Sequence, residues 1–181
     1  MARACVLLAN GFEEIEAVTL IDVLRRADLE VTTLGVDTLT PRGSHDIEVR
    51  ADALLADRSN EPWDVVILPG GMPGAAALRD HAEVQALLKR QIEGGKEVAA
   101  ICAAPIALGA AGVLEGKRAT CFPGFEDGLT GASHSTDRVV QDGNVVTSRG
   151  PGTAMELALT LVERHAGSEK ARSLKQKMLV A

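Results

Sequence analysis

The feature that most constrains this chain is the alternation of its apolar segments. Four short runs, ACVLLA (4–9), LEVTTLGV (29–36), WDVVILPGG (63–71) and EVAAIC (97–102), are short, apolar and flanked by turn formers. Between them lie longer stretches whose apolar residues recur every three or four positions, as on one side of a helix. Strands that are apolar on both faces need a helical layer on each, which is the pattern of a mostly parallel sheet. The chain is therefore expected to be an α/β sandwich of three layers. RVVQDGNVVTS adds a β-hairpin, with its turn placed at Asp142-Gly143. A length of 181 residues suits a single domain, 1–181.

Between the strands, the segment from Glu13 to Ala27 reads as a helix. Its broad apolar face holds Ile15, Val18, Ile21 and Leu24, with Leu20, Val23 and Ala27 beside them. A second helix runs from Ala82 to Glu93 and stops at Gly94-Gly95; a third covers Ala104 to Gly112. RATCF reads as a strand. Thr153 and Glu156 have the spacing of a capping box and open the last long helix, followed by a short charged helix from Ser168 to Met178. Residues 37–60 are less regular: TPRGSHDIEV suggests a small hairpin and ADALLAD a short turn of helix or strand.

Composition excludes several function classes. The net charge is -6 and no basic run occurs, which argues against a nucleic-acid surface. No apolar run approaches the roughly 18 residues of a membrane helix. The amino-terminal apolar segment is too short for a secretory signal, so the cytoplasm is the expected location and the three cysteines are expected to stay reduced. Their wide spacing, without CxxC, makes neither a zinc site nor a disulfide framework. Neither GxGxxG nor GxxxxGK[ST] is present, so no dinucleotide or nucleotide cofactor is expected. Aromatic residues make up 2% of the chain, so the core must be aliphatic.

In an open parallel sheet, ligands bind beyond the carboxyl ends of the strands, where loops lead into helix amino-termini. Cys102 lies at such an end, with Pro105 in the following first helical turn. Either it is a small buried hydrophobe or it is a nucleophile whose pKa the helix terminus lowers. Glu16 shares an i, i+4, i+8 line with Leu20 and Leu24 and so points inward, where burial would raise its pKa. Glu13 and Glu14 read as outward-facing acids at a helix amino-terminus. Gly70-Gly71 either forms a tight turn or, with the Ala103 amide, an oxyanion hole. SRGPGT (148–153) either binds an anion or walls the crevice. His134, with Asp137 beside it, is either a catalytic partner for Cys102 or a solvated loop residue. His45, His81 and His165 read as surface.

Four stretches in register, GFEEIEAVTLIDVLRRA, DVVILPGG, AAICAAP and TSRGPGTAMELAL, resemble the DJ-1-like branch of the DJ-1/ThiJ/PfpI superfamily over nearly the whole length. The resemblance implies a flavodoxin-like fold of the class I glutamine amidotransferase type, a homodimer, no cofactor and no metal. It implies a reactive, oxidation-prone Cys102, a partner Glu16, and Gly71 and Ala103 as the amides near the thiol. The implied activity is that of a glyoxalase III or deglycase acting on small α-oxoaldehydes such as methylglyoxal, in protection against carbonyl and oxidative stress. Its alternative is a redox-sensing stress protein or chaperone. A cysteine peptidase or amidase fits less well, because Ala103 stands where the protease-like branch has histidine. His134 matches, by its loop, a histidine of relatives that act on glyoxals. His45 stands where some relatives have an arginine that frames the site across the dimer.

Overall fold

The computed structural model describes residues 1–180. The chain runs through β1 (Arg3–Leu8), α1 (Glu14–Arg26), β2 (Glu30–Gly35), β3 (Ala53–Leu54), α2 (Leu55–Arg58), β4 (Val65–Leu68), α3 (Gly74–Asp80) and α4 (Ala82–Glu93). It continues through β5 (Glu97–Ile101), α5 (Pro105–Ala110), β6 (Arg118–Ala119), β7 (Ser133–His134), β8 (Val139–Asp142), β9 (Val145–Ser148), α6 (Ala154–Ala166) and α7 (Ser168–Lys177). Seven strands form one sheet in the order β3-β2-β1-β4-β5-β9-β8, parallel throughout except for the β8–β9 hairpin at its edge.

The central strands β4 and β5 are buried at every position, as their unbroken apolar runs require. Side chains alternate between the two faces. Leu7, Val66, Leu68 and Ala100 pack with Trp63 and the apolar faces of α3, α4 and α5. Val6, Ile67, Ala99 and Ile101 pack with Leu20 and Leu24 of α1 and Leu157 and Leu161 of α6. Phe12 and Trp63 are the buried aromatic residues, and the rest of the core is aliphatic. Among the described residues, no helix is long and apolar enough to cross a membrane.

The structure departs from the sequence reading in several places. The hairpin closes with Asp142 opposite Val145, so its turn residues are Gly143-Asn144. Only Gly143 has positive φ, as a type II′ turn requires and a type I′ turn does not. RATCF contributes only Arg118 and Ala119 to a strand, paired with β7 in a separate two-stranded sheet, because the Thr120 and Phe122 amides turn to Thr147 and Cys102. The segment after Gly71 is the helix α3, too short and alanine-rich for periodicity to reveal. Ile15 and Val18 are exposed, leaving Leu20, Val23 and Leu24 to bury the face of α1.

Thr153 does not cap α6 through its side chain. Its hydroxyl turns back into the 3₁₀ turn Pro151–Thr153, accepting from the Gly150 N–H at 3.1 Å and meeting the Ser148 hydroxyl at 2.7 Å. Glu156 is drawn off to Arg138, 2.7 Å away on the surface. Thr153→Val, which leaves the buried Gly150 amide without its partner, is expected to cost about 1–3 kcal/mol in urea unfolding. Glu156→Ala, which removes only an exposed ion pair, is expected to change stability by less than about 1 kcal/mol; a true capping box would make the two losses similar.

Candidate active site

β1, β4 and β5 are adjacent, so the loops at their carboxyl ends meet. Cys102 is the first residue beyond β5 and has φ +62°, a left-handed conformation that costs a non-glycine residue of order 1–2 kcal/mol. Two hydrogen bonds hold it there. Its N–H donates to the Ser148 carbonyl at 2.9 Å, and its carbonyl accepts from the Phe122 N–H at 2.8 Å. Cys102 is 8% exposed, whereas Cys5 and Cys121 are at 0%, so of the three buried cysteines only this one retains surface open to solvent.

Glu16 reaches the same point from α1. Glu13 caps that helix, its Oε2 accepting from the Glu16 N–H at 2.9 Å. The Glu16 side chain is fully buried and its Oε2 accepts from the Gly70 N–H at 2.7 Å. Oε1 has no nitrogen or oxygen partner. Beyond Gly70, the polar group that stands beside Glu16 is the Cys102 thiol. Glycine at position 70 is a steric requirement here. A Cβ would come within 2.6 Å of Cys102 Cβ and 2.8 Å of Glu16 Oε2. Gly71, at φ +88°, brings its own N–H to the sulfur, as does Ala103. The Gly70 amide is taken by Glu16, so the donors facing the thiol are Gly71 and Ala103.

The electrostatics correct one expectation. Burial pushes the Cys102 thiol up to about 12, and the charge of Glu16 and its hydrogen bond act the same way. The Ala103 and Gly71 amides pull down, but by less. The strand-to-helix elbow therefore does not lower the thiol pKa. Burial likewise pushes the Glu16 carboxyl up to about 7, against the lowering effect of the Gly70 and Cys102 hydrogen bonds. The two groups titrate as a pair. When Glu16 holds the proton, its charge no longer opposes the thiolate.

Glu13 and Glu14 are buried rather than outward-facing. The loop 43–47 folds over the start of α1, and Glu14 accepts from the His45 N–H at 2.7 Å and the Ile47 N–H at 3.4 Å. His45 itself is exposed, its Nδ1 3.0 Å from Glu14. Among the described residues, Glu13, Glu14 and His45 are the one group whose ligating atoms gather closely enough for a metal, but Glu14 is already engaged in tethering the loop. His165 is largely covered and meets Glu97 at 3.0 Å, and His81 is half-buried. His134 is exposed on β7, in register with Ala119. Asp137 pairs with Arg118 at 3.0 Å instead of orienting it, and His134 is not among the groups that act on the Cys102 thiol. SRGPGT serves as a wall: Ser148 holds the Cys102 amide, and Thr153 holds Ser148. Phe122 and Met72, exposed in the loops that meet the elbow, are not marked out by any sequence pattern.

The sequence profile of the DJ-1/PfpI family matches residues 2–164. The chain belongs to the DJ-1/PfpI family. It is 43% identical to protein dj-1beta of Drosophila melanogaster over 181 residues, covering 98% of this chain and 97% of the fly protein. It is 38% identical to the Caenorhabditis elegans glutathione-independent glyoxalase DJR-1.2, covering 93% of this chain and 91% of that protein. It spans 39% of the length of the Arabidopsis thaliana DJ-1 homolog B, at 43% identity and with 93% of this chain aligned. Toxoplasma gondii DJ-1, solved in oxidized form, superposes with a TM-score of 0.96 at 40% identity, covering 100% of both chains. The flavodoxin-like, mostly parallel architecture is thus that of the DJ-1 structures.

The raised carboxyl of this DJ-1 family member has a measurable sign. Folded protein holds the Glu16 proton more tightly than unfolded chain does, so the associated stability is present below pH 4.5 and lost as pH rises through about 7. The loss amounts to about 3 kcal/mol at 1.36 kcal/mol per unit. Urea unfolding of wild type and Glu16→Gln at pH 4.5 and pH 8 is expected to show wild type falling by that much more than the variant. Parallel curves would mean that Glu16 titrates as an ordinary carboxyl.

Proposed function

We propose that this protein is a cofactor-independent cysteine enzyme that converts small α-oxoaldehydes to 2-hydroxy acids, a glyoxalase III or deglycase-like activity that protects against carbonyl and oxidative stress. The observation that carries the reading is the buried Glu16 carboxyl beside the Cys102 thiol, both packed against Gly70, with the Gly71 and Ala103 amides acting on the sulfur. The name of the nematode relative, a glutathione-independent glyoxalase, supports it.

The chemistry balances without a co-reactant other than water. As the Cys102 proton passes to Glu16, the sulfur adds to the aldehyde carbon and forms a C–S bond. The Gly71 and Ala103 N–H groups stabilise the charge on the aldehyde oxygen until it is protonated. Glu16 gives the thiol proton to that oxygen, completing the hemithioacetal, and as a carboxylate it then takes the proton from this carbon and returns one to the neighbouring carbon, through an enediol, leaving a thioester of the 2-hydroxy acid. Water breaks the C–S bond, releases the acid and restores the thiol. One carbon is oxidised and its neighbour reduced, so no external oxidant is needed. This assignment leaves His134 outside the proton relay, and it gives a peptidase no histidine beside the thiol.

A redox-sensing or chaperone role is the second reading. Cys102 is the one cysteine with surface open to solvent, and a protonated Glu16 is suited to donate to a sulfinate on it. The oxidized Toxoplasma gondii DJ-1 structure favours the same chemistry. We further propose a cytoplasmic homodimer, in which the exposed Ile15 and Val18 of α1 and Ile47 of the adjoining loop are covered by the second copy.

Glutathione-free conversion of methylglyoxal to lactate, with lactate read directly, tests the leading reading. Cys102→Ser is expected to abolish turnover, Glu16→Gln to lower it by at least about 100-fold, and His134→Ala to keep at least half. Absence of turnover in wild type would pass the site to the redox reading. A gain of two oxygens confined to Cys102 after limiting peroxide would then be the expected mass change.

A further inference from the structure

Eight large apolar side chains are exposed among the described residues, and two of them, Met72 and Phe122, belong to the loops whose backbone meets Cys102. Met72 follows Gly71, whose N–H faces the thiol, and is 47% exposed. Phe122 is 42% exposed, although its backbone N–H is fixed to the Cys102 carbonyl. Its ring lies against Gly150, where a Cβ would stand 3.1 Å from the ring edge. Gly150 in turn is two residues beyond Ser148, the residue that holds the Cys102 amide. The ring therefore lies against the turn that follows Ser148.

Phe122 also packs edge-to-face on Phe125, with ring centroids 6.5 Å apart at 67°. Beyond that ring pair, Phe125, Met72 and Ile106 line an adjoining cavity of about 280 Å³, which Cys102 itself does not line, with Arg79 and Asp127 at its polar side. An apolar cavity of roughly 150 Å³ takes a benzene molecule. A methyl group would leave most of this one unfilled, whereas a phenyl group fits with room for a substituent. Apolar surface left to water beside a buried reactive group is what the apolar part of a ligand would cover.

We propose that Met72, Phe122 and Phe125 form the subsite for the substituent of the α-oxoaldehyde, and that aryl- and branched-alkyl glyoxals are the preferred substrate class. The inference rests on the glyoxalase reading of Cys102. In the adduct the aldehyde carbon is bonded to Sγ, and the substituent on the ketone carbon extends over the Phe122 ring towards Met72.

The test compares kcat/KM for phenylglyoxal and methylglyoxal, without glutathione and with mandelate or lactate read directly. The proteins are wild type, Phe122→Ala and Met72→Ala. Wild type is expected to favour phenylglyoxal by at least about tenfold, the range that apolar pocket contacts supply. Each variant is expected to bring the ratio below about three, through a larger loss on phenylglyoxal. A wild-type ratio near one, or variants that lose both activities in parallel, would overturn the subsite. If wild type turns over neither aldehyde, the glyoxalase reading fails separately. The subsite is then decided by the rate of Cys102 alkylation with N-phenylmaleimide relative to N-methylmaleimide, normalised to free cysteine. A higher ratio in wild type than in Phe122→Ala supports it, and equal ratios overturn it.

Discussion

The site depends on one buried contact, the Glu16 carboxyl against the Gly70 N–H. It joins the first turn of α1 to the end of β4 at 2.7 Å and carries Glu16 to the sulfur at the end of β5. An ionised carboxyl in such a place would be costly, because burial disfavours the charge and a single backbone amide offsets only part of that cost. The group resolves the conflict by holding its proton near neutral pH. The same burial that makes Glu16 a reluctant anion makes Cys102 a reluctant thiolate. Each anion raises the cost of ionising the other, so the two titrations are coupled.

That arrangement needs exact spacing, and the surrounding backbone supplies it. Gly70 has no Cβ, so β4 can approach both Cys102 and Glu16. Ser148 and Phe122 clamp Cys102 in its left-handed conformation from opposite sides. Glu13 caps α1, and Glu14 fastens the loop 43–47 over the start of that helix. Much of the polar chemistry around the site thus positions the carboxyl and the thiol. The proposed chemistry uses the groups that remain, the sulfur, the Glu16 carboxyl and two amides.

The residues show why some features were legible in the chain and others were not. β4 and β5 were plain because strands covered on both faces have unbroken apolar runs, and α4 matched its expected limits because Ala82–Glu93 is strongly amphipathic and two glycines end it. Cys102 stood out by following such a run and preceding a proline, and Glu16 by sharing a line with Leu20 and Leu24. The hairpin turn was misplaced by one residue because DG and GN are both good turn pairs, and the register is fixed by the pairing of Val140 with Thr147 across the strands. The Thr153–Glu156 spacing suggested a cap that neither residue makes, since Ser148 and Arg138 compete for them from other elements. Glu14 looked like a solvated acid because the loop that covers it lies some thirty residues further along the chain.

The sequence by itself determined the class of fold, the strand ends where its loops converge, and the two side chains, Cys102 and Glu16, that meet there. Those follow from local quantities: apolar periodicity, a glycine pair, an acid on an apolar line. Only the tertiary structure decided the protonation of the site, the engagement of the Gly70 amide that leaves Gly71 and Ala103 near the thiol, and the exposure of Phe122 and Met72. A pKa, an engaged amide and an exposed ring are each set by groups distant in the chain, and folding alone brings those groups within a few ångströms of one another.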